Sequence, residues 1–174
     1  MDHIEKLGSA TPEGAGSSDA HFPEASVERT VEWVDTDASG HQHNSAILRW
    51  VEAAEADLFR KLELPDYFPS APRVQHVINY KAKLWFGQRV RATVRISALG
   101  RTSLTMAFEV HGDSLIAPDD ARSNDGTLAA FGTVTTAHVP PGAATAQPWP
   151  ENFVKALRGK VNTALPLDRS TSNC

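Results

Sequence analysis

The feature that most constrains the fold is an apolar helix pattern between Ser45 and Leu62. The large apolar positions are Ala46, Ile47, Trp50, Val51, Ala54, Leu58, Phe59 and Leu62. They recur at spacings of three and four, as on one face of an α-helix. Ala53 and Ala56 widen that face, so the helix is predicted to be buried on more than one side. Pro65 marks its end. The rest of the chain must supply the layer that encloses it.

Strands are predicted on both sides of this helix. Apolar and polar residues alternate in the segments Val27–Val34, Val74–Tyr80, Arg89–Leu99, Thr102–His111 and Leu128–Val139. One helix preceded by one strand and followed by four strands predicts an α+β fold. In this fold a curved antiparallel sheet of five strands would wrap around one long central helix.

Composition divides the chain into a domain and two flanking segments. Residues 1–24 are rich in Gly, Ser, Ala, Pro and Glu and are predicted to be a disordered tail. Residues 25–139 form the predicted domain, interrupted by a polar hairpin loop or insert over 112–126. Residues 140–174 are a Pro- and Ala-rich extension in which Glu151–Leu157 has the length for two helical turns.

Charge and cysteine usage exclude several classes of protein. The net charge of −4 comes from interspersed acids and bases, so no field suited to nucleic acid is expected. No window approaches the roughly 20 apolar residues of a membrane span. The first residues lack the features of a secretory signal. The single cysteine, Cys174, excludes an internal disulfide framework. A soluble cytoplasmic protein with no nucleic-acid or membrane partner is therefore expected.

A polar turn lies between the first predicted strand and the helix. Within Val34–Asn44 it contains two aspartates, a glycine, two histidines and an asparagine. The first N–H groups of a helix have no intrahelical partner, and the helix dipole is positive at that end. An oxyanion or a carbonyl oxygen can be held there.

This turn and its flanks resemble the hot-dog fold thioesterases, in particular the branch similar to 4-hydroxybenzoyl-CoA thioesterase. The matching pattern is Asp-x-Asp-x-x-Gly-His at residues 35–41, followed by the helix segment Leu48–Ala54. Tyr80–Gln88 is similar to the family's strand followed by Pro-Leu-x-x-Gly-Asp, and Leu99–Ser103 is similar to the hairpin after it. The resemblance covers Ser26 to Val139. It implies hydrolysis of an acyl-CoA thioester to the free acid and CoA, with no cofactor and no metal.

The resemblance also implies roles for the turn residues. Asp37 stands at the position of the family's catalytic carboxylate, which attacks the thioester carbonyl or deprotonates a water that does so. Asp35 is expected to hold the turn, with catalysis as its alternative. Without the resemblance, both would be interpreted as solvated turn aspartates, one of them capping the helix. A backbone N–H around His43–Ser45 is the expected oxyanion donor. Gly40 is expected to let the backbone approach the acyl group.

His41 and Asn44 are further candidate catalytic residues. His41 is expected to orient the turn or to contact the acyl group, and His41 with His43 also allows a metal-binding interpretation. Asn44 is either the helix N-cap or a side chain that positions water or the carbonyl. The Gly-His-x-x-Asn spacing is closer to medium- and long-chain acyl thioesterases than to the 4-hydroxybenzoyl-CoA enzymes. Glu52 on the helix is a reserve candidate for the catalytic carboxylate.

Basic residues are expected to meet the phosphates of CoA. The first choice is Arg101 with Thr102 and Ser103, in the hairpin that resembles the family's nucleotide-contacting segment. Arg73, Lys81 and Lys83 come next. The alternative is a solvated basic edge that prevents sheet-to-sheet pairing.

The resemblance implies a homodimer or homotetramer whose active sites are shared between subunits. Three other functions stay open at this point. The first is hydrolysis of a thioester on an acyl carrier protein. The second is non-catalytic acyl-CoA binding or a structural role, against which the presence of Asp37 argues. The third is a dehydratase that pairs His41 with a carboxylate.

Overall fold

The structure is a computed structural model that describes residues 22–113 and 126–159. Its elements are β1 (Glu24–Thr30), a 3₁₀ turn (Trp33–Asp35), α1 (Asn44–Lys61), α2 (Tyr67–Ser70), β2 (Arg73–Tyr80), β3 (Arg89–Leu99), β4 (Ser103–Gly112), β5 (Thr127–Ala137) and α3 (Glu151–Gly159). Most of the predicted N-terminal tail, most of the predicted loop over 112–126, and residues 160–174 lie outside the described residues. No helix in the described part of the chain is long and apolar enough to span a membrane.

The five strands form one antiparallel sheet in the order β1-β3-β4-β5-β2. Helix α1 lies across one face of this sheet and packs against β1, β3 and β4. The predicted α+β architecture, with a five-stranded antiparallel sheet on a central helix, is confirmed.

The core lies between α1 and the middle strands. The inward residues are Val90, Ala92, Val94 and Ile96 on β3 and Leu104, Met106, Phe108 and Val110 on β4, and all are buried. They are the residues that the alternating pattern predicts to share one face of each strand. Each large side chain that is fully buried here contributes about 1.5–3 kcal/mol of transfer free energy.

Gly132 on β5 is required by a close approach of β2. A Cβ at this position would lie 1.8 Å from the carbonyl oxygen of Val77 and 3.0 Å from Cζ of Phe108. Any side chain at residue 132 would therefore push β2 away from β5.

The first strand lies earlier than the sequence predicts. It ends at Thr30 rather than at Val34. Val31 still exchanges backbone hydrogen bonds with Gly87 and Gln88, but the N–H of Glu32 then donates to Asp35 Oδ2 at 2.9 Å. This contact turns the chain into the 3₁₀ turn and leaves Trp33 78% and Val34 70% exposed.

The edge strand β2 is open to solvent along almost its whole length. Val74, Val77 and Tyr80 are all exposed, even though apolar and polar residues alternate here as in the other strands. Because α1 covers the β1 side of the sheet, it packs mainly against β1, β3 and β4, and its hydrogen bonds to β2 are made by Arg73 and Tyr80 at the two ends of that strand. An apolar edge strand of this kind is a surface on which another strand can pair.

The segment after β5 packs back onto the core. Trp149, Phe153 and Leu157 are buried, and the rings of Trp149 and Phe153 stack with centroids 4.2 Å apart. They extend a stack formed by Phe59 of α1 and Tyr67 of α2, whose centroids are 3.5 Å apart. The predicted loop Asp66–Ala71 thus contains the short helix α2.

A buried polar network joins α1 to the start of β2. Glu55 is 1% exposed and accepts hydrogen bonds from the Tyr67 hydroxyl at 2.8 Å and from Arg73. Thr136 of β5 lies 3.2 Å from the same hydroxyl. Burial raises the pKa of Glu55 above its ordinary value, although Arg73 and Tyr67 oppose this shift.

Candidate active site

The turn between the 3₁₀ turn and α1 folds as a small hairpin. The N–H of Gly40 donates to the carbonyl of Asp37 at 3.0 Å, and the N–H of Asp37 donates to the carbonyl of His41 at 3.2 Å. Gly40 has a φ of +78°, and nothing lies within 4 Å of the place where its Cβ would be. Within the chain, Gly40 is therefore needed for its conformation rather than for space.

Asp37 presents an exposed carboxylate at this turn. Its Oδ1 accepts hydrogen bonds from the backbone N–H of Ser39 at 2.8 Å and from the Ser39 hydroxyl. Among residues 22–113 and 126–159, its Oδ2 has no hydrogen-bond partner. The Ser39 hydroxyl and then the Ser39 N–H lower the pKa of Asp37 below its ordinary value of 3.8. The carboxylate is therefore ionised at neutral pH and has one oxygen free to react.

Asp35 is bound on all sides. Its side chain is buried, with Oδ1 accepting from Arg49 and Oδ2 from the N–H of Glu32. Its carbonyl oxygen accepts from the N–H of His43 at 2.7 Å. These contacts join the 3₁₀ turn to the start of α1, which is the turn-holding arrangement expected of Asp35.

The helix N-cap is His43. Its Nδ1 accepts from the N–H of Ser45 at 3.1 Å, and Asn44 is the first helical residue. The interpretation of Asn44 as the N-cap is therefore wrong. Of the three backbone N–H groups at residues 43–45, those of His43 and Ser45 are bonded. The N–H of Asn44 has no partner within the described chain, so it is the group available to an oxyanion.

His41 lies between the turn and the loop before β3. Its ring stands perpendicular to that of Trp85, with centroids 6.0 Å apart, and its Nδ1 lies 3.2 Å from the carbonyl of Gln42. No three His, Cys, Asp or Glu side chains among the described residues are grouped as metal ligands.

Some residues beside Asp37 were not predicted from the sequence. Ser39 bonds the carboxylate, and the Tyr80 hydroxyl donates to the carbonyl of Asn44 at 3.3 Å. The Asp-x-Ser spacing is a signal for the first contact, since aspartate side chains in turns accept from the backbone two residues on. Nothing in the local sequence indicates the second contact, because it depends on where β2 ends.

The Arg101 hairpin lies far from Asp37 in the same chain. Thr30 pairs with Arg89 at the start of β3, close to the Asp37 turn, whereas Arg101 follows the other end of β3. Eleven strand residues separate the two ends, about 35 Å at roughly 3.3 Å per residue. One chain therefore does not bring Asp37 together with Arg101, Thr102 or Ser103.

The hairpin is tied to the segment that follows β5. The N–H of Trp149 donates to the carbonyl of Arg101 at 3.0 Å, and the N–H of His138 donates to that of Thr102 at 2.9 Å. Gly100 and Ser103 close the turn with a backbone hydrogen bond of 2.8 Å. The Arg101 side chain is exposed.

The other basic residues that were predicted to meet the CoA phosphates lie in two places. Lys81 and Lys83 are exposed on the loop after β2, at the end of the sheet that carries Asp37. Arg73 is at the hairpin end, since it pairs with Thr136, and it also lies 3.6 Å from Glu52.

The structure thus combines an antiparallel sheet on a central helix with an exposed carboxylate in the turn before that helix, and comparison with known proteins identifies its family. The family model described as "Thioesterase-like superfamily" matches residues 31–157. The chain belongs to this family, and its fold is the hot-dog fold.

Solved structures of several thioesterases are similar to this chain. A thioesterase from Thermus thermophilus, complexed with coenzyme A and Zn, is 26% identical with a TM-score of 0.66, over 80% of this chain and 94% of that one. A 1,4-dihydroxy-2-naphthoyl-CoA thioesterase from Synechocystis is 18% identical with a TM-score of 0.63, over 77% and 95%. A mutant 4-hydroxybenzoyl-CoA thioesterase complexed with 4-hydroxybenzoyl-CoA is 14% identical with a TM-score of 0.67, over 78% and 99%. A search of curated proteins finds no match.

Proposed function

We propose that the protein hydrolyses an acyl-CoA thioester to the free acid and CoA, with Asp37 as the catalytic carboxylate. The observation that carries this proposal is the ionised carboxylate of Asp37, with one oxygen unbonded among the described residues, in the hairpin that leads into the start of α1, where the N–H of Asn44 has no partner among those residues either. Membership of the thioesterase-like family and the acyl-CoA or CoA bound by similar proteins support the choice of substrate.

Asp37 can act in two ways, and both require its ionised form. As a nucleophile, it attacks the thioester carbon, the C–S bond breaks and CoA leaves as the thiolate, which gains a proton. Water then hydrolyses the acyl–Asp37 anhydride. As a general base, it takes a proton from the water that attacks the same carbon. The N–H of Asn44 and the α1 dipole would stabilise the oxyanion, and one such donor is typically worth about 10²–10³ in rate.

The active form is proposed to be a homodimer, or a tetramer built from it, with β2 at the interface. If the exposed edges of two β2 strands pair antiparallel about a two-fold axis, the Tyr80 end of one meets the Arg73 end of the other. Tyr80 bonds Asn44 at the start of α1, directly after the hairpin that carries Asp37, and Arg73 lies two strands from the Arg101 hairpin. The hairpin of one subunit would then approach the Asp37 turn of its partner, where it can bind the nucleotide of CoA.

The proposed function is tested by supplying the purified protein with a panel of acyl-CoAs and detecting the released thiol with a disulfide reagent. The panel should range from acetyl to long-chain and aromatic acyl groups, and should include one acyl group on an acyl carrier protein. Turnover of at least one acyl-CoA is expected. If the folded protein releases thiol only from the carrier protein, or from none of the panel, the acyl-CoA assignment is wrong.

A further inference from the structure

We propose that Trp85 contacts the acyl group of the substrate, and that Gln42 and Gln88 hold its loop in position for this contact. This inference rests on the proposed function, because it deepens the account of the site around Asp37. It concerns a residue of the loop between β2 and β3 that has no place in the catalytic chemistry described above.

The loop that carries Trp85 is held by Gln42. The N–H of Leu84 donates to Gln42 Oε1 at 2.5 Å, and the N–H of Gln42 donates to the carbonyl of Leu84 at 2.8 Å. A β-bridge between His41 and Trp85 continues this pairing. The loop is therefore attached directly to the hairpin that carries Asp37.

Gln88 holds the loop from its other side. Its Oε1 accepts from the N–H of Trp85 at 2.9 Å, and its Nε2 donates to the carbonyl of Asp113 at 2.6 Å. Gln42 and Gln88 are both buried. A buried amide must find hydrogen-bond partners, and here both amides bond the backbone beside Trp85.

The side chain that these contacts position is not part of the core. Trp85 is 42% exposed, and among the described residues its ring contacts only that of His41, which it meets at 88°. The backbone below this exposed ring is fixed, and it is bridged to His41, whose carbonyl accepts from the N–H of Asp37. This is the arrangement expected of a ligand contact. Phe86, the next residue, is 60% exposed but packs against Trp33 instead, with centroids 6.2 Å apart.

The chemistry of an indole indicates what it would select. A contact between two aromatic rings contributes about 0.5–1.5 kcal/mol to the free energy of binding. A ring would contribute little to the binding of an acyl group as small as acetyl. Trp85 should therefore favour acyl groups with an aromatic or bulky apolar body next to the thioester.

The contact can be tested without turnover. In the Asp37→Asn background, binding of benzoyl-CoA, acetyl-CoA and free CoA is measured by calorimetry with and without Trp85→Ala. Benzoyl-CoA should bind about 2- to 10-fold more weakly in the Trp85 variant, with acetyl-CoA and CoA unchanged. Phe86→Ala removes a more exposed ring from the same loop and should change the binding of none of the three.

Two outcomes would overturn the contact. Equal weakening of benzoyl-CoA and free CoA would mean that Trp85 acts on the pantetheine or on the fold, and unchanged binding of all three would mean that it touches no substrate. Failure of the proposed function would give a different result. Wild-type protein would then bind acyl-CoA without releasing thiol, or would not bind it at all.

The role of Gln42 is tested with Trp85 intact. Gln42→Met keeps the length of the side chain but removes the acceptor for the Leu84 N–H. It should weaken the binding of benzoyl-CoA selectively, while the circular dichroism spectrum stays that of the wild type. If Gln42→Met binds all three ligands as the wild type does, or binds all three more weakly by the same factor, Gln42 has no positioning role.

Discussion

Asp35 and Asp37 are two residues apart, yet their surroundings give them opposite properties. Asp35 is buried and has both side-chain oxygens bonded, whereas Asp37 is exposed and has one free oxygen. Chemistry at the thioester needs a carboxylate that can reach the substrate. The two aspartates therefore differ in role because the carboxylate of Asp35 is bonded within the fold, whereas that of Asp37 is exposed to a substrate.

The Ser39 contact predicts the pH dependence of the rate. The pKa of Asp37 is lowered, so the acid limb of kcat/KM should have its midpoint below the ordinary value of 3.8. Ser39→Ala removes the hydroxyl that contributes most to this shift, so the acid limb should move to higher pH. A pH–rate profile measures it directly.

The control for this change is Ser97→Ala, which deletes a hydroxyl bonded to the carbonyl of Thr105 on the sheet. Its profile should match the wild type. An acid limb centred above pH 5 in the wild-type enzyme would assign the essential group to something other than Asp37.

Tyr67 is expected to be important for stability rather than for catalysis. Its hydroxyl donates to the buried Glu55, and a hydrogen bond to a charged group contributes about 1.5–3 kcal/mol. Tyr67→Phe should lower the free energy of unfolding by this amount in urea. Tyr80→Phe removes a more exposed hydroxyl that bonds a backbone carbonyl, and it should cost about 0.5 kcal/mol or less. Equal losses from the two variants would contradict the importance of the buried network.

The residues of the site were predicted unevenly from the sequence. The choice of Asp37 over Asp35 came from the family resemblance and stays a prediction, whereas the positive φ of Gly40 agrees with a glycine in this turn. Asn44 was one candidate for the N-cap because Asn is among the preferred residues there. His43 takes that position because its Nδ1 reaches the N–H of Ser45, a contact that propensities do not reveal.

At the level of elements, the hairpin after β3 is where the nucleotide of CoA is proposed to bind. Arg101→Ala should raise KM about 2- to 5-fold with kcat nearly unchanged, because an exposed ion pair contributes about 0.5–1 kcal/mol to ground state and transition state alike. The rise should shrink with added salt, since such contacts are screened over about 8–10 Å.

A short pantetheine thioester provides the control for Arg101, because it lacks the nucleotide. KM for this substrate should be the same in the wild type and in Arg101→Ala. Arg95→Ala on the outward face of β3 is the matched variant and should leave both substrates unaffected. An equal rise in KM for the two substrates would mean that Arg101 does not contact the nucleotide and is an ordinary exposed hairpin residue.

Element boundaries show where local sequence is informative. The bounds of β3 agree with prediction because its alternation is strict from Arg89 to Ile96, where one face is buried. The first strand was misplaced because Trp33 and Val34 have high strand propensity. Their backbone follows the 3₁₀ turn set by Asp35 instead, so a tertiary contact outweighs the propensity.

At the scale of the whole molecule, the order of the strands is the feature least accessible to local patterns. Alternation predicts that β2 is a strand, but not that it lies at an edge of the sheet, away from the strands against which α1 mainly packs. The order of one helix and five strands indicated the class of fold, the family resemblance identified it as the hot-dog arrangement, and the match over residues 31–157 confirms that membership.

The open edge of β2 predicts the oligomeric state. Val77 is exposed near the middle of this strand, and a charge there should block pairing of one edge with another. Val77→Lys should sediment as a monomer and lose activity, because the Asp37 turn and the Arg101 hairpin would no longer come together. Ser26→Lys puts the same charge on the opposite edge, β1, and should remain an active dimer. A fully active monomer would contradict a shared site.

The central claim is that Asp37 carries out thioester hydrolysis, and a comparison of Asp37→Asn with Asp35→Asn tests it most directly. Both variants are assayed for thiol release on the best acyl-CoA of the panel and unfolded in urea. Asp37→Asn should lose about 10²–10⁴-fold in kcat and keep its stability. Asp35→Asn should retain more of the rate but lose about 1–3 kcal/mol of stability, because the buried contacts to Arg49 and Glu32 are weakened. An active Asp37→Asn beside a folded but inactive Asp35→Asn would contradict the assignment.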